Sequence, residues 1–291
     1  MIFIYMLKNT FSHLTRIGPK REAALWRNAI FSWEDLLSAL DTNNRFTRGI
    51  APPVRQELKD SLAHHAARNA RWFAGKLPPA DTWRLFPDFQ GSAAYLDIET
   101  TGLNEPGNPP DITTIALYDG NTIRWYVNGE NLDDFKKDIR QYQLLITFNG
   151  KTFDVPVIES FFHIRMDQAH IDLRYVLKNL GYSGGLKACE QKLGICREDL
   201  DGVDGFFAVL LWDDYRRRKA SKTLGTLLAY NIADAVNLER LMIMAFNQKI
   251  SRLEHVSVDR LPEPVEPLLP FVPDMATIDR IKRQRFQTFR Y

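Results

Sequence analysis

Cysteine is nearly missing from this 291-residue chain, and the two present, Cys189 and Cys196, stand seven apart with no CxxC spacing and no paired histidines. That excludes a sequence-evident zinc site or disulfide framework and points to a reducing, cytoplasmic compartment. A dominant charge is missing too: the net charge is only +2, so composition does not announce a nucleic-acid binder, although basic residues gather in Arg216 to Lys222 and Arg280 to Arg290. Each such run is more often a solvated face. No long hydrophobic run occurs. The apolar opening from Met1 to Leu7 lacks a basic leader and is too short for a signal peptide or a bilayer-spanning helix, so it reads as a strand or packed terminus. Nothing points to a membrane or a protein partner, and no repeat stands out. With 45% hydrophobic and 25% charged residues, the chain reads as soluble and globular, with a sizeable core.

Three stretches follow one another. Residues 12 to about 75 read as helices: an apolar pattern through Ala23, Ala24, Leu25 and Trp26, a cap-like Ser32 before WEDLL, and a helix from Pro53 to Phe73. Prolines at 78, 79 and 87 mark a linker. From Ala93 the pattern is strand-like (AAYLDIE, TTIALYDG, NTIRWYVNG), with Asp119-Gly120-Asn121 as the turn of a hairpin. A polar helix from Leu132 to Tyr142 and a fourth strand, LLITFN, come next. The chain is then mostly helical to Lys249 apart from an extended AHIDL. Prolines at 262, 264, 267, 270 and 273 give residues 251–291 the look of an extended tail over the surface. The expected division is a helical region at 1–78, a sheet-and-helix domain at 90–250 and that tail. A mixed sheet with helices suits several folds and names no function.

The carboxylates do more. Asp97 and Glu99 in YLDIETTGL lie two apart on a strand and therefore share a face, while Leu96 and Ile98 face the opposite layer. Asp154, in ITFNGKTFDVPVI, follows a strand ending at Asn149. Asp234, in YNIADAVNL, sits one helical turn after Tyr230, so phenol and carboxylate point the same way. Acids that converge repel one another and are costly to desolvate, so such a cluster is kept when cations neutralise it; hard oxygen ligands suit magnesium or manganese. Taken singly, DxE is an ordinary acidic strand exit and Tyr230 an amphipathic core-edge tyrosine. Thr100, Thr101 and Gly102 form a tight loop able to meet a phosphate, and Leu103 a wedge against a base.

These residues resemble the DEDD exonucleases of the ribonuclease H-like superfamily, the group that includes polymerase proofreading domains. The first motif stands as Asp97, Glu99 and Thr100 to Leu103, the second as Asn149, Phe153 and Asp154, and the third as Tyr230 with Asp234. Ala229 fills the position that a histidine holds in the other version of the third motif, so the pattern resembles the tyrosine subtype, DEDDy. HIDLRYVLK and GGLKACEQKLGI bring it nearest to the bacterial YprB-like branch. The resemblance covers roughly residues 93 to 248 and implies an α/β, ribonuclease H-like mixed five-stranded sheet flanked by helices. It further implies metal-dependent 3′–5′ hydrolysis of phosphodiester bonds, releasing nucleoside monophosphates from a single-stranded 3′ end of DNA or RNA. Two divalent ions, Mg2+ or Mn2+, about 3.5 to 4 Å apart would sit in the site. Asp97 would bridge them, Glu99 and Asp234 would complete the first shell, and Asp154 would hold the second. Tyr230 would orient the attacking water. Lys187, behind Ser183, Gly184 and Gly185, would contact a substrate phosphate, and Phe153 and Leu103 would stack terminal bases. Core packing is an equal reading for Phe153, and a lysine placed like Lys187 more often lies along the surface.

The segment HLTRIGPKREAALWRNAIFSWEDLL looks like a degenerate helix-hairpin-helix element, with Lys20 and Arg21 near a phosphate-facing hairpin. Arg16 replaces the first of the usual two glycines and only Gly18 remains, which leaves a structural helical pair as an open alternative. Two other functions compete with hydrolysis: a noncatalytic nucleic-acid-binding module on the same fold, and an aspartate-nucleophile phosphatase built on Asp97. The first has no need of four ligands and a tyrosine. The second calls for Asp at position 99, where this chain has Glu.

Overall fold

The computed structural model describes residues 6–42, 44–102, 110–195, 204–255 and 258–288, the last four without their side chains. Leu103 and Cys196 lie outside them. The sheet has five strands: β1 (Ala93–Thr100), β2 (Ile112–Tyr118), β3 (Ile123–Val127), β4 (Leu144–Thr147) and β5 (Ala169–Asp172). Their order is β3-β2-β1-β4-β5. β1 is antiparallel to β2 and β2 to β3, whereas β1, β4 and β5 run parallel, so the sheet is mixed and the fold is α/β. The expected hairpin is present: Asp119 Oδ1 accepts from the amides of Asn121 and Thr122 at 3.1 and 2.8 Å, and Gly120 takes the left-handed φ of +88° that the turn requires.

Alternation along β1 sends Leu96 and Ile98 into one apolar layer and Tyr95 into the other. The first layer is closed by Phe135, Val157 and Ile158 from α6 (Phe135–Asp138) and α7 (Asp154–Phe162). The polar helix expected over 132–142 is divided, with α6 between 3-10 turns Leu132–Asp134 and Ile139–Gln141. On the other face lie α8 (Leu173–Leu180), α9 (Leu186–Lys192), α10 (Gly205–Arg218) and α11 (Ser221–Ile250), the last packing across β1 and β2. Twenty of the 30 residues of α11 are buried, which is why its apolar spacing is so dense.

Outside the sheet the sequence expectations need three corrections. The helix read from Pro53 to Phe73 is two, α3 (Val54–Ala66) and α4 (Ala70–Ala74), because Arg68 adopts a φ of +55° and Asn69 caps the second by accepting from Trp72 N at 3.0 Å. The preceding helices α1 (Pro19–Arg27) and α2 (Trp33–Asp41) match, and Ser32 forms a full capping box with Asp35. The proline-marked linker is a buried run instead: a 3-10 stretch Pro79–Leu85 and α5 (Phe86–Phe89) bury Trp83, Leu85, Phe86 and Phe89 in one core with the N-terminal helices and the sheet. Proline at the first positions of helical turns starts them rather than breaking them. Buried Glu22 ties this run down, accepting from Phe11 N at 2.6 Å, Ser12 N at 3.1 Å and Arg84 Nη1 at 2.9 Å. Last, the expected extended tail ends in α12 (Met275–Thr288), whose Ile278 and Ile281 are buried against α10 and α11. At the amino end Met6 and Leu7 are buried and Leu7–Asn9 is a 3-10 turn.

Candidate active site

Three carboxylates converge where β1 leaves the sheet. One oxygen each from Asp97, Glu99 and Asp234 lies within 4.8 Å of the others. β1 supplies Asp97 and Glu99 on one face, and α11, crossing that face, supplies Asp234. A register shift between Glu99 and Thr100 in the pairing with β2 ends the regular ladder there, a device that re-aims a strand at its exit. Tyr230, buried on α11, lies one turn before Asp234.

Asp154 begins α7. It is not part of the 4.8 Å group; one of its oxygens accepts from Ile98 N at 3.3 Å, which fixes it behind β1. Its charge still reaches the group. Burial and then the charges of Asp234 and Asp154 push the carboxyls of Asp97 and Glu99 well above the usual range, with Glu99 adding to the effect at Asp97. Burial also raises Asp154, to about 7. Opposing these, Asn231 hydrogen-bonds Asp97, and the Lys187 ammonium favours ionised Glu99. A buried set of acids whose charged forms are this costly, all with hard oxygen donors, fits divalent cations bound between them. Asp97, Glu99 and Asp234 would hold the first.

The turn between β4 and α7 is built by a residue that the sequence did not single out. Buried Asp172, at the end of β5, accepts from Asn149 N at 2.8 Å, Lys151 N at 3.0 Å and Arg174 N at 3.0 Å. Asn149 takes a φ of +68°, and its Oδ1 accepts from Thr152 Oγ1 at 2.8 Å and from Arg174. Asn149 therefore shapes the turn that launches Asp154. Phe153 is half-buried and packs against the apolar layer beneath β1. Thr100 is buried, its hydroxyl accepting from Gly102 N at 3.3 Å, and Thr101 Oγ1 accepts from Asp111 N at 3.2 Å. Gly102 has a φ of +91°. Leu103 lies outside the described residues.

Lys187 is near the start of α9 with its ammonium 4.4 Å from the centre of the Tyr230 ring, so it is held at the site and not along the surface. Asn231 is the second residue that sequence reasoning passed over. Fully buried, it donates through Nδ2 to Asp97 Oδ2 at 2.7 Å and to the Asp97 carbonyl at 3.2 Å, while its Oδ1 accepts from Thr114 Oγ1 at 2.9 Å. An amide three residues before Asp234, within an apolar helix, was the available signal.

The amino-terminal hairpin offers less. Arg16 takes the left-handed φ of +61° that a glycine would fill, and Gly18 caps α1. Only a 3-10 turn and further turns precede it, so no full helix leads into the hairpin among the described residues. Glu57 occupies the hairpin amide at Thr15 (2.8 Å), and Arg21 is tied to the Arg48 carbonyl at 2.6 Å. A carboxylate on that amide opposes a phosphate there. Among the described residues no helix is long and apolar enough to cross a membrane.

Residues 94–246 match the family model described as RNase_H superfamily. A search of curated protein sequences finds no match. Among solved structures the chain is similar to the family B DNA polymerase from the hyperthermophilic archaeon Pyrobaculum calidifontis, at 14% identity and a TM-score of 0.43, over 56% of this chain and 26% of the polymerase. The chain thus spans about a quarter of that polymerase's length.

Proposed function

The chain belongs to the RNase_H superfamily, and on that premise we propose that it is a divalent-metal-dependent 3′–5′ exonuclease of the DEDDy type, nearest to the YprB-like branch. Superfamily membership supports a nuclease acting on nucleic acid. The finer reading is carried by one observation: Asp97, Glu99 and Asp234 meet within 4.8 Å, the first half-buried and the other two buried, with Asp154 electrostatically in reach and Tyr230 one turn away.

The chemistry belongs to residues 90–250, with the helical region 1–78 and the stretch 251–291 around it. Asp97, Glu99 and Asp234 would hold one divalent cation, and Asp97 with Asp154 would hold a second. When bound, magnesium or manganese activates water and offsets charge on the leaving oxygen. The protein's own part is placement. Asn231 holds the Asp97 carboxylate in one orientation. Tyr230 orients the attacking water; a neutral phenol is a poor base near pH 7, so it positions rather than deprotonates. Lys187, already close to Tyr230, is placed to meet a substrate phosphate. Thr100, Thr101 and Gly102 would meet a substrate phosphate at the end of β1, and Asn149 and Phe153 would hold Asp154 in place.

A 5′-labelled single-stranded oligonucleotide, incubated with magnesium or manganese, is expected to give a ladder shortened from its 3′ end. Asp97→Ala should give none. A wild-type protein that binds the strand without shortening it would return the fold to a noncatalytic binding role. Trapped aspartyl-phosphate on Asp97 would instead revive a phosphatase.

A further inference from the structure

At the opposite end of the sheet from the acids lies an open groove of about 850 Å³ with a strongly positive lining. Arg68 and Arg71 reach it from the α3–α4 junction, Lys136 and Arg140 from the α6 region, and Arg165 from the loop after α7, against a single acid, Asp167. Five basic side chains in one groove are a strong local excess in a chain whose net charge is only +2. Two have partners that leave them on the groove wall: Arg71 pairs with Asp167 at 3.1 Å with both side chains more than half exposed, and Lys136 pairs with Asp133 at 2.6 Å. Arg140 and Arg165 are exposed and make no hydrogen bond or ion pair among the described residues. Neither run of basic residues picked out in the sequence contributes here, because this groove is assembled from three separate segments.

Its place follows from the topology. Gln143 and Gln168, on the groove floor, immediately precede β4 and β5, whereas Asn149 and Asp154 follow the other end of β4. The four residues of β4 alone separate the two ends by about 13 Å at ~3.3 Å per residue.

We propose that this groove is a second nucleic-acid contact, binding the phosphate backbone of the substrate upstream of the end being trimmed. The inference rests on the nuclease reading for its ligand. An open, solvated array of guanidinium groups suits a flexible polyanion, because each phosphate contact releases condensed counterions and needs no base-specific geometry. Planar guanidinium forks engage phosphate oxygens in pairs. At one phosphate per ~3.4 Å of axis in a stacked strand, a stacked substrate needs about four nucleotides to span that distance.

The test uses the full chain carrying Arg140→Ala and Arg165→Ala together, with circular dichroism and thermal midpoint matched to wild type. Binding of a long fluorescent single strand is followed by anisotropy in calcium, from ~50 to 200 mM salt, alongside trimming of that strand and hydrolysis of the p-nitrophenyl ester of thymidine 5′-monophosphate. A log–log salt slope shallower by about 1.4 is expected, from ~0.7 per single-strand contact, with affinity lower by about fivefold per lost contact at 0.1 M salt. The KM for the long strand should rise while ester hydrolysis stays unchanged. Unchanged affinity and slope in the folded double variant would overturn the proposal. So would unchanged strand affinity with lost binding of a polyglutamate peptide, which would assign the groove to an acidic protein. Loss of strand binding in a protein that never hydrolyses either substrate would uphold the groove and refute the exonuclease reading.

Discussion

Asn231 Nδ2 donates to Asp97 Oδ2 at 2.7 Å, joining residues 134 apart in sequence and fixing the orientation of the carboxylate at the centre of the candidate site. The same amide is itself held, since its oxygen accepts from Thr114 on β2 at 2.9 Å. One residue of α11 thus braces two strands and aims a prospective metal ligand.

Replacing Asn231 by Ala should weaken metal binding without removing a ligand. A supporting partner of a metal-bound group typically contributes 10- to 100-fold in affinity or activity, and a loss of about that size is expected in manganese titration calorimetry. Affinity equal to wild type in a folded Asn231→Ala protein would show that Asp97 needs no such brace.

The pH dependence of the metal-free protein carries a sign opposite to that of most carboxylates. Burial raises Asp154 from 3.8 to about 7 and lifts Asp97 and Glu99 as well. Between those values the unfolded chain has released protons that the folded chain still holds, so the folded state loses stability as pH rises from about 4 towards 7. Without metal the thermal midpoint should be lower at pH 8 than at pH 5. Magnesium or manganese should raise it most at the higher pH, where fewer protons compete for the ligands. Asp154→Asn, which keeps an acceptor for Ile98 N, should flatten the metal-free profile; an unaltered profile would remove Asp154 from the coupled set.

Gly150 admits no side chain. A Cβ there would stand 2.6 Å from Thr147 Cβ and 2.7 Å from Thr147 Cγ2, at the turn that launches Asp154. Gly150→Ala should cost about 1–3 kcal/mol, read as a drop in thermal midpoint of about 2–4 °C per kcal/mol. Because the turn moves with it, activity should fall even at temperatures where the variant stays folded.

Helix α12 is held by a buried acid. Asp214 Oδ1 and Oδ2 accept from Arg280 Nη1 and Nη2, each at 2.7 Å, and Arg218 and Thr223 add bonds at 3.0 and 3.1 Å. The Arg280 hydrogen bonds are the chief reason that the Asp214 carboxyl lies below its ordinary 3.8. The pairing therefore contributes in full above that ordinary value and is lost as pH falls through the lower folded-state one. Arg280→Met should cost about 1.5–3 kcal/mol, the range for hydrogen bonds to charged groups, and raise amide exchange across α12 at neutral pH. Exchange unchanged from wild type would mean that Ile278 and Ile281 hold the helix unaided.

What the sequence made legible was whatever is encoded locally. The two-residue spacing of Asp97 and Glu99 on β1, the Asp119-Gly120-Asn121 turn and the one-turn spacing of Tyr230 and Asp234 all depend on backbone period, and all are as expected. Readings that depended on distant packing fared differently. Prolines 78, 79 and 87 read as a linker because the burial of Trp83 and Phe86 against the N-terminal helices has no local signature. The break at Arg68 depends on one left-handed residue among good helix formers, and α12 follows a proline-rich run that hides it. Asn231 and Asp172 were passed over for a related reason: their partners, Asp97 and the Asn149 turn, are distant in sequence.

Anomalous scattering from crystals soaked in manganese tests the central claim most directly, because it locates cations without relying on a substrate. The account predicts a strong peak among the oxygens of Asp97, Glu99 and Asp234, lost in Asp97→Ala. Well-diffracting crystals with no peak there, or with an equal peak in that variant, would contradict it.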